Sequence, residues 1–351
     1  MRIVGATSAF PKYHYDQKAL CEAFLAYWGD RLPEPRKFEL LHSNVGVNGR
    51  YLSLPIEEYA ALRFSEANDV WIRTAVELGE KAIPAVVAQA GIDKSEISAF
   101  FFVSVTGIAS PSIDARLINR LRLSNSMRRV PIFGLGCVAG AAGISLAADY
   151  VRAYPDRYAL LFSVELCTLT IQHDDLSMAN LISTGLFGDG AAAVIVAGDK
   201  AAAKCGADGP DIIATQAVFY PDTEHVMGWD ISASGFQIVL SPEVPDVIAG
   251  NVGRDLDCLL AKNGLTRADI GCWMLHTGGP KILRATAQAL GVGDTALWAS
   301  WECLAEMGNL SSSSVLMVLE KTMQKRPAPG TWSILAAMGP AFCSELVLLR
   351  W

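Results

Sequence analysis

Two stretches of this 351-residue chain repeat one another at long range. Ala90-Gly-Ile-Asp-Lys-Ser-Glu-Ile97 leads into an apolar run, and so does Asn263-Gly-Leu-Thr-Arg-Ala-Asp-Ile270, an offset of 173 residues. Carried forward at nearly the same offset, Gly136-Cys137 falls on Gly308-Asn309, each opening a helix of small residues. Each helix then leads to another strand, Tyr158–Val164 in one half and Thr331–Ala336 in the other. Thr106-Gly107 falls close to His276–Gly278, at the end of the equivalent strand. A period this long excludes a solenoid. It predicts two similar α/β halves, 1–205 and 206–351, about a pseudo-twofold axis. In α/β sheets functional residues gather at strand ends and the following helix N-termini. Both helix starts, Cys137 and Asn309, should therefore face a shared centre.

The first helix start is the more telling. Phe133-Gly-Leu-Gly-Cys137-Val-Ala-Gly-Ala-Ala-Gly143 reads as strand, tight turn, then a buried helix whose first turn carries Cys137. N–H groups without intrahelical partners and the helix dipole favour thiolate there. The thiol pKa is then expected to fall from about 8.5 into the ~3.5–7.5 range. Val130–Ala148 carries no charge over 19 residues, but its proline and glycines suit a buried strand–turn–helix better than a membrane span. With 51% hydrophobic and 19% charged residues the chain can bury a large core, and a net charge of −7 argues against nucleic acid as partner. Eight scattered cysteines without paired spacing suit reduced thiols in a cytoplasmic protein and no metal framework.

Residues 13–90 read as mostly helical, with Val70, Ala75, Leu78, Ala82 and Val86 at helical spacing. Ile97–Val105, Leu160–Val164 and Ala191–Val196 are continuous apolar runs, the pattern of strands buried on both faces. Arg36, Lys37 and Arg50 flank a glycine-punctuated loop and are candidates for phosphate contacts. Of five histidines, His276 stands apart, at a strand end ahead of Thr277-Gly-Gly-Pro-Lys281. An imidazole there can take the proton of Cys137. Asn309 either caps the helix it opens or donates its amide to a developing oxyanion.

Gly-Cys137-Val-Ala-Gly-Ala, His276-Thr-Gly-Gly-Pro-Lys, Gly-Asn309-Leu-Ser-Ser-Ser-Ser and Leu186-Phe-Gly-Asp-Gly-Ala resemble the type III polyketide synthases, from first strand to Trp351. The resemblance implies a thiolase-like α/β fold, two duplicated halves in a five-layered αβαβα arrangement, and a homodimer. It implies Cys137 as acyl-carrying nucleophile, with His276 and Asn309 stabilising the thiolate and the enolate formed when malonyl-CoA loses CO₂. Substrates would be CoA thioesters, an acyl-CoA starter and malonyl-CoA, with no other cofactor and no metal. Phe187 matches a gatekeeper between CoA tunnel and cavity. Ile238 stands where plant enzymes have a second phenylalanine, and Cys167 and Thr170 fall in a cavity segment. Thr106, Gly235, Ser311 and Met338 complete the expected substrate contacts, with Arg36, Lys37 and Arg50 at the tunnel mouth for CoA.

Several positions depart from the plant pattern. Thr277 replaces the proline after the histidine, Ala337-Met-Gly-Pro-Ala341 replaces a glycine-rich loop, and Ser110 stands where a methionine crosses the plant dimer. Met227-Gly-Trp-Asp230 resembles bacterial alkylresorcinol and alkylpyrone synthases, and Ile238, Cys167 and Gly235 are small. The expected starter is therefore a medium or long fatty acyl group, cyclised to a pyrone or resorcinol. The alternatives are a condensing enzyme like ketoacyl-carrier-protein synthase III, disfavoured by Gly278-Gly-Pro-Lys281, and a non-catalytic acyl-binding subunit.

Overall fold

A computed structural model describes residues 1–351. β1 (Arg2–Ala9) runs into an excursion of β2 (Tyr13–Asp16), α1 (Gln17–Trp28), α2 (Pro35–Asn44) and β3 (Gly49–Leu52). There follow α3 (Phe64–Ala90), β4 (Ile97–Val103), α4 (Ile113–Leu121), β5 (Arg128–Ile132), α5 (Ala139–Ala153) and β6 (Tyr158–Leu166). α6 (Met178–Leu186), β7 (Asp189–Ala197) and α7 (Asp199–Cys205) close the first half. The second comprises β8 (Asp211–Phe219), the hairpin β9 (Met227–Ser232) and β10 (Gly235–Leu240), then α8 (Val244–Lys262) and β11 (Ile270–Leu275). α9 (Pro280–Leu290), α10 (Trp298–Met307), α11 (Ser312–Lys325), β12 (Trp332–Gly339) and β13 (Cys343–Arg350) complete it. The apolar runs are indeed strands: every residue of β6 and β7 is buried. Residues 13–90 are mostly helical, interrupted by short loops and by β2 and β3, which pair antiparallel and are too short to show a strand period.

The strands lie in the order β11-β12-β13-β8-β1-β7-β6-β4-β5. The duplication is visible in that order. β4, β6, β7 and β1 follow one another in the first half as β11, β12, β13 and β8 do in the second, and β5 has no counterpart. The two groups meet at a single registered pair, Arg2 with Asp211, where the Arg2 guanidinium also donates twice to the Asp211 carboxylate. α3 covers the outer face of the first group and α8 and α9 cover the second. Between them lie α5 and α11, each touching strands of both groups. Three separate apolar cores fill these layers, one in the middle and one under each outer helix layer. In α3 the five residues at helical spacing are all buried, each worth roughly 1.5–3 kcal/mol for the larger side chains.

The small residues of α5 follow from this layering. A Cβ on Gly140 would lie 2.1 Å from the Ser312 carbonyl oxygen, so the two central helices cross backbone to backbone. Gly143 makes room in the same way for Leu161 of β6. The uncharged 130–148 stretch is the end of β5, a turn and most of α5. No helix is long and apolar enough to cross a membrane.

Candidate active site

Cys137, His276 and Asn309 come from three separate elements and line one cavity of about 920 Å³. Cys137 sits in a 3₁₀ turn, Gly136–Val138, directly before α5 and not in its first α-turn. Gly136 holds that turn with φ +58°, and a Cβ there would strike the ring of Pro340 at 2.4 Å. The nucleophile's turn is thus seated on Met338-Gly-Pro340, at the end of β12. His276 extends β11, its N–H donating to Ala336 of β12 at 3.0 Å. Its Nδ1 is buried without a hydrogen-bond partner, which leaves Nε2 as the nitrogen for the cavity.

Asn309 is not the cap of α11. It forms an isolated bridge with Phe187, its N–H donating to Leu186 and its carbonyl accepting from Gly188. Its side-chain oxygen accepts the Ser311 N–H at 2.8 Å, which leaves the side-chain NH₂ uncommitted. The capping position falls to Ser311, whose side chain makes no cap hydrogen bond. Its hydroxyl lies 3.4 Å from the Cys137 sulfur instead.

Electrostatics at the site run against the expected low thiol pKa. Cys137 counts as half-buried because it faces the cavity, yet it is enclosed deeply enough that burial pushes its thiol up to about 12. The Ser311 hydroxyl pulls it down, and Glu165 pushes it further up. Burial lowers His276 to about 4. The resting pair is therefore thiol and neutral imidazole. A proton passing from one to the other creates both charges together, so each ion compensates the other's lost hydration.

Phe187, Ile238, Ser311 and Met338 line the same cavity, as expected from the sequence. Ile238 stands directly opposite Trp229 in the β9–β10 hairpin, so both side chains project from one face, and Trp229 also lines the cavity.

Other expected contacts lie elsewhere. Arg50 is buried, donating to the carbonyls of Phe187 and Thr184 at 2.6 Å each. It is a brace for the gatekeeper turn and cannot reach a phosphate; burial lowers it to about 10. Glycines distant in the chain, Gly188 and Gly308, make the room for its side chain. Arg36 and Lys37 are exposed on α2 but outside the cavity wall, and Lys37 is 3.2 Å from Glu34. Cys167 is buried after β6, and Thr170 turns its hydroxyl to the Cys167 carbonyl and faces a separate small pocket. Gly235 packs on the Phe64 ring. Thr106 lies behind the wall, donating to Glu165 at 2.9 Å.

Glu165 is not among the residues expected at the site, although a lone acid in the apolar run Tyr158–Leu166 is a signal the sequence carries; all nine residues of that strand are buried. Glu165 accepts hydrogen bonds from Thr106, Val105, Ser104 and Ser312. Burial nevertheless raises its carboxyl to about 7. Also missed were Lys281 and Arg284, exposed cations of α9 on the cavity wall. Spacing of three residues on one helix face aligns them. No three His, Cys, Asp or Glu side chains converge as a metal site.

Comparison with known proteins bears on this geometry. Residues 3–200 match the family model for chalcone and stilbene synthases, N-terminal domain, and residues 211–351 match the C-terminal domain. A 1,3,6,8-tetrahydroxynaphthalene synthase of Streptomyces peucetius subsp. caesius is 46% identical over 351 residues, 99% of this chain and 93% of the relative. A phloroglucinol synthase of Pseudomonas fluorescens is 31% identical, covering 97% of each chain. The crystal structure of the tetrahydroxynaphthalene synthase of Streptomyces coelicolor A3(2), described as a bacterial type III polyketide synthase, superposes with TM-score 0.92 at 30% identity. It covers 100% of this chain and 99% of that one.

Proposed function

The chain belongs to the chalcone and stilbene synthase family of type III polyketide synthases, and from that premise we propose that Cys137 carries an acyl chain taken from coenzyme A and lengthens it with malonyl-CoA. His276 accepts the thiol proton at Nε2 as Cys137 attacks the starter thioester; the acyl–CoA bond breaks, CoA leaves as its thiolate, and the proton stays on His276. Malonyl-CoA then loses its free carboxylate as CO₂, and the electron pair of the broken C–C bond becomes an enolate. The Asn309 NH₂ and the His276 ring N–H donate to its oxygen. The enolate carbon attacks the Cys137 thioester, the C–S bond breaks, and the thiolate is released for reloading with the longer chain. The scheme calls on no metal ion or redox cofactor. The convergence of Cys137, His276 and Asn309 on one cavity carries this reading. Product analysis by mass spectrometry with Cys137→Ala tests it: the variant should form no polyketide.

For the product, the proposal is a polyhydroxylated aromatic built from malonyl units. The 46% identical relative is named for a tetrahydroxynaphthalene, a ring system without an alkyl tail. Trp229, facing the same way as Ile238, adds an indole to the wall where a small residue suggested an open channel. A fatty starter closed to a pyrone or resorcinol is the second reading, favoured by the apolar wall of Met178, Ile182, Ile238 and Leu240. Incubation with malonyl-CoA alone separates the two. An aromatic product supports the first, and a strict requirement for a long acyl-CoA supports the second.

Lys281 and Arg284 are proposed to hold the CoA phosphates in place of Arg36, Lys37 and Arg50. Removing both should raise KM for malonyl-CoA about tenfold, equivalent to ~1.4 kcal/mol, with little change in kcat. A phosphate-free thioester such as the N-acetylcysteamine ester should be unaffected. The chain is also proposed to form a homodimer. β5 is an edge strand and Phe133 beside it is 52% exposed. Sedimentation would show a monomer if that is wrong.

A further inference from the structure

The serine run Ser311-Ser-Ser-Ser314 has four side chains at one helix start, and three of them are occupied. Ser312 bonds Glu165 and Ser163, Ser313 bonds Ser163, and the Ser314 oxygen accepts the Leu310 N–H at 2.8 Å. These bonds build the start of α11. Ser311 differs in both backbone and side chain. Its φ of +45° lies in the left-handed region, one of only five such non-glycine residues in the chain. Serine pays for that conformation in strain, and strained backbone persists only where the surroundings over-determine it. The surroundings are on hand. The Ser311 N–H is held by the Asn309 side chain at 2.8 Å, and its carbonyl accepts the Ser314 N–H at 3.2 Å. Clamped from both sides, the residue turns its hydroxyl away from the helix and towards the Cys137 sulfur, 3.4 Å off.

We propose that Ser311 is a positioning residue for the nucleophile: its hydroxyl, aimed by the left-handed turn, donates to the Cys137 sulfur and stabilises the thiolate. The inference rests on Cys137 being the nucleophile and adds what makes it reactive. It also gives Asn309 a second task, since the oxygen of its amide fixes Ser311 while the nitrogen remains for substrate. Against the burial that opposes the thiolate, this hydroxyl is the foremost group that favours it, with the Cys137 backbone N–H second. No bond is made or broken in this role. The hydroxyl is a fixed dipole that the sulfur meets in whichever charge state it holds.

The test is the pH profile of Cys137 alkylation by iodoacetamide, read by peptide mass spectrometry, in Ser311→Ala and Ser311→Gly. Both remove the hydroxyl, and Gly also relieves the left-handed backbone, so its fold and melting temperature should hold even if Ala is destabilised. The expected result is roughly tenfold slower labelling in both across the neutral and mildly alkaline range. An unchanged profile in a folded Ser311→Gly protein would overturn the proposal. Failure of the underlying reading looks different: Cys137→Ala would then still make polyketide, whatever Ser311 does. A loss of product in Ser311→Gly with unaltered alkylation would assign Ser311 to shaping the cavity and also refute the thiolate role.

Discussion

Asn309 spends one end of its amide on Ser311 and keeps the other for the cavity. Two outcomes follow from that division. Asn309→Ala should slow malonyl-CoA decarboxylation by about 10²–10³, the usual cost of one oxyanion donor, while starter loading, which loses only the hold of Asn309 on Ser311, falls by about tenfold at most. Separate assays of ¹⁴CO₂ release and of acyl transfer to Cys137 read the two steps, and equal losses would mean that Asn309 serves only the backbone. Glu165 offers a test of a different kind. Its carboxyl is raised to about 7 in the folded chain, so the folded state holds a proton that the unfolded state has released. Stability from this group is full below the ordinary carboxyl range and is lost as pH rises through about 7. Glu165→Gln, which stays neutral, should therefore flatten the decline in urea midpoint between pH ~5 and ~8. An identical slope in both proteins would show that Glu165 does not titrate there.

Among the elements, α5 and α11 are the pair whose spacing matters most, because each carries one end of the site. Gly140→Ala would drive a methyl group into the Ser312 carbonyl at 2.1 Å. Backbone contact leaves no rotamer to yield, so the cost should reach or exceed the ~1–3 kcal/mol usual for overpacking. In a chain of this size that lowers Tm by several degrees. Activity should fall further than stability does, since separating the helices pulls Ser311 from Cys137; calorimetry and product yield on the same preparation compare the two. The small-residue pattern was legible in the sequence as a buried helix, and the repeat correctly paired the two helix starts. Helix starts proved less legible in detail. Cys137 falls two residues early and Asn309 three residues early, because capping preferences are local while the bridge between Asn309 and Phe187 joins residues 122 apart.

Across the whole molecule, what the sequence conveyed best was what repeats or runs on: the doubled α/β halves, the fully buried strands, the residues at strand ends. What it concealed was contact between segments far apart in the chain. Arg50 looked like a surface cation because its neighbours are loop-like, and only the fold reveals that it braces Phe187 from inside. Thr106 and Cys167 lie close to the site in sequence logic yet off its wall, because each follows a strand end in a turn: the Thr106 hydroxyl is bonded to Glu165 and Leu166, and Cys167 is buried in its 3₁₀ turn. The single-pair seam between the two strand groups, Arg2 against Asp211, has one more consequence. Two separate identical subunits would be bound to carry the same residue at both helix starts, so a change that suits one role would be imposed on the other. Covalent joining dissolves that bond. With both copies in one chain, one helix start is free to keep a sulfur and the other an amide, and the molecule exchanges two like sites for a single site with a division of labour.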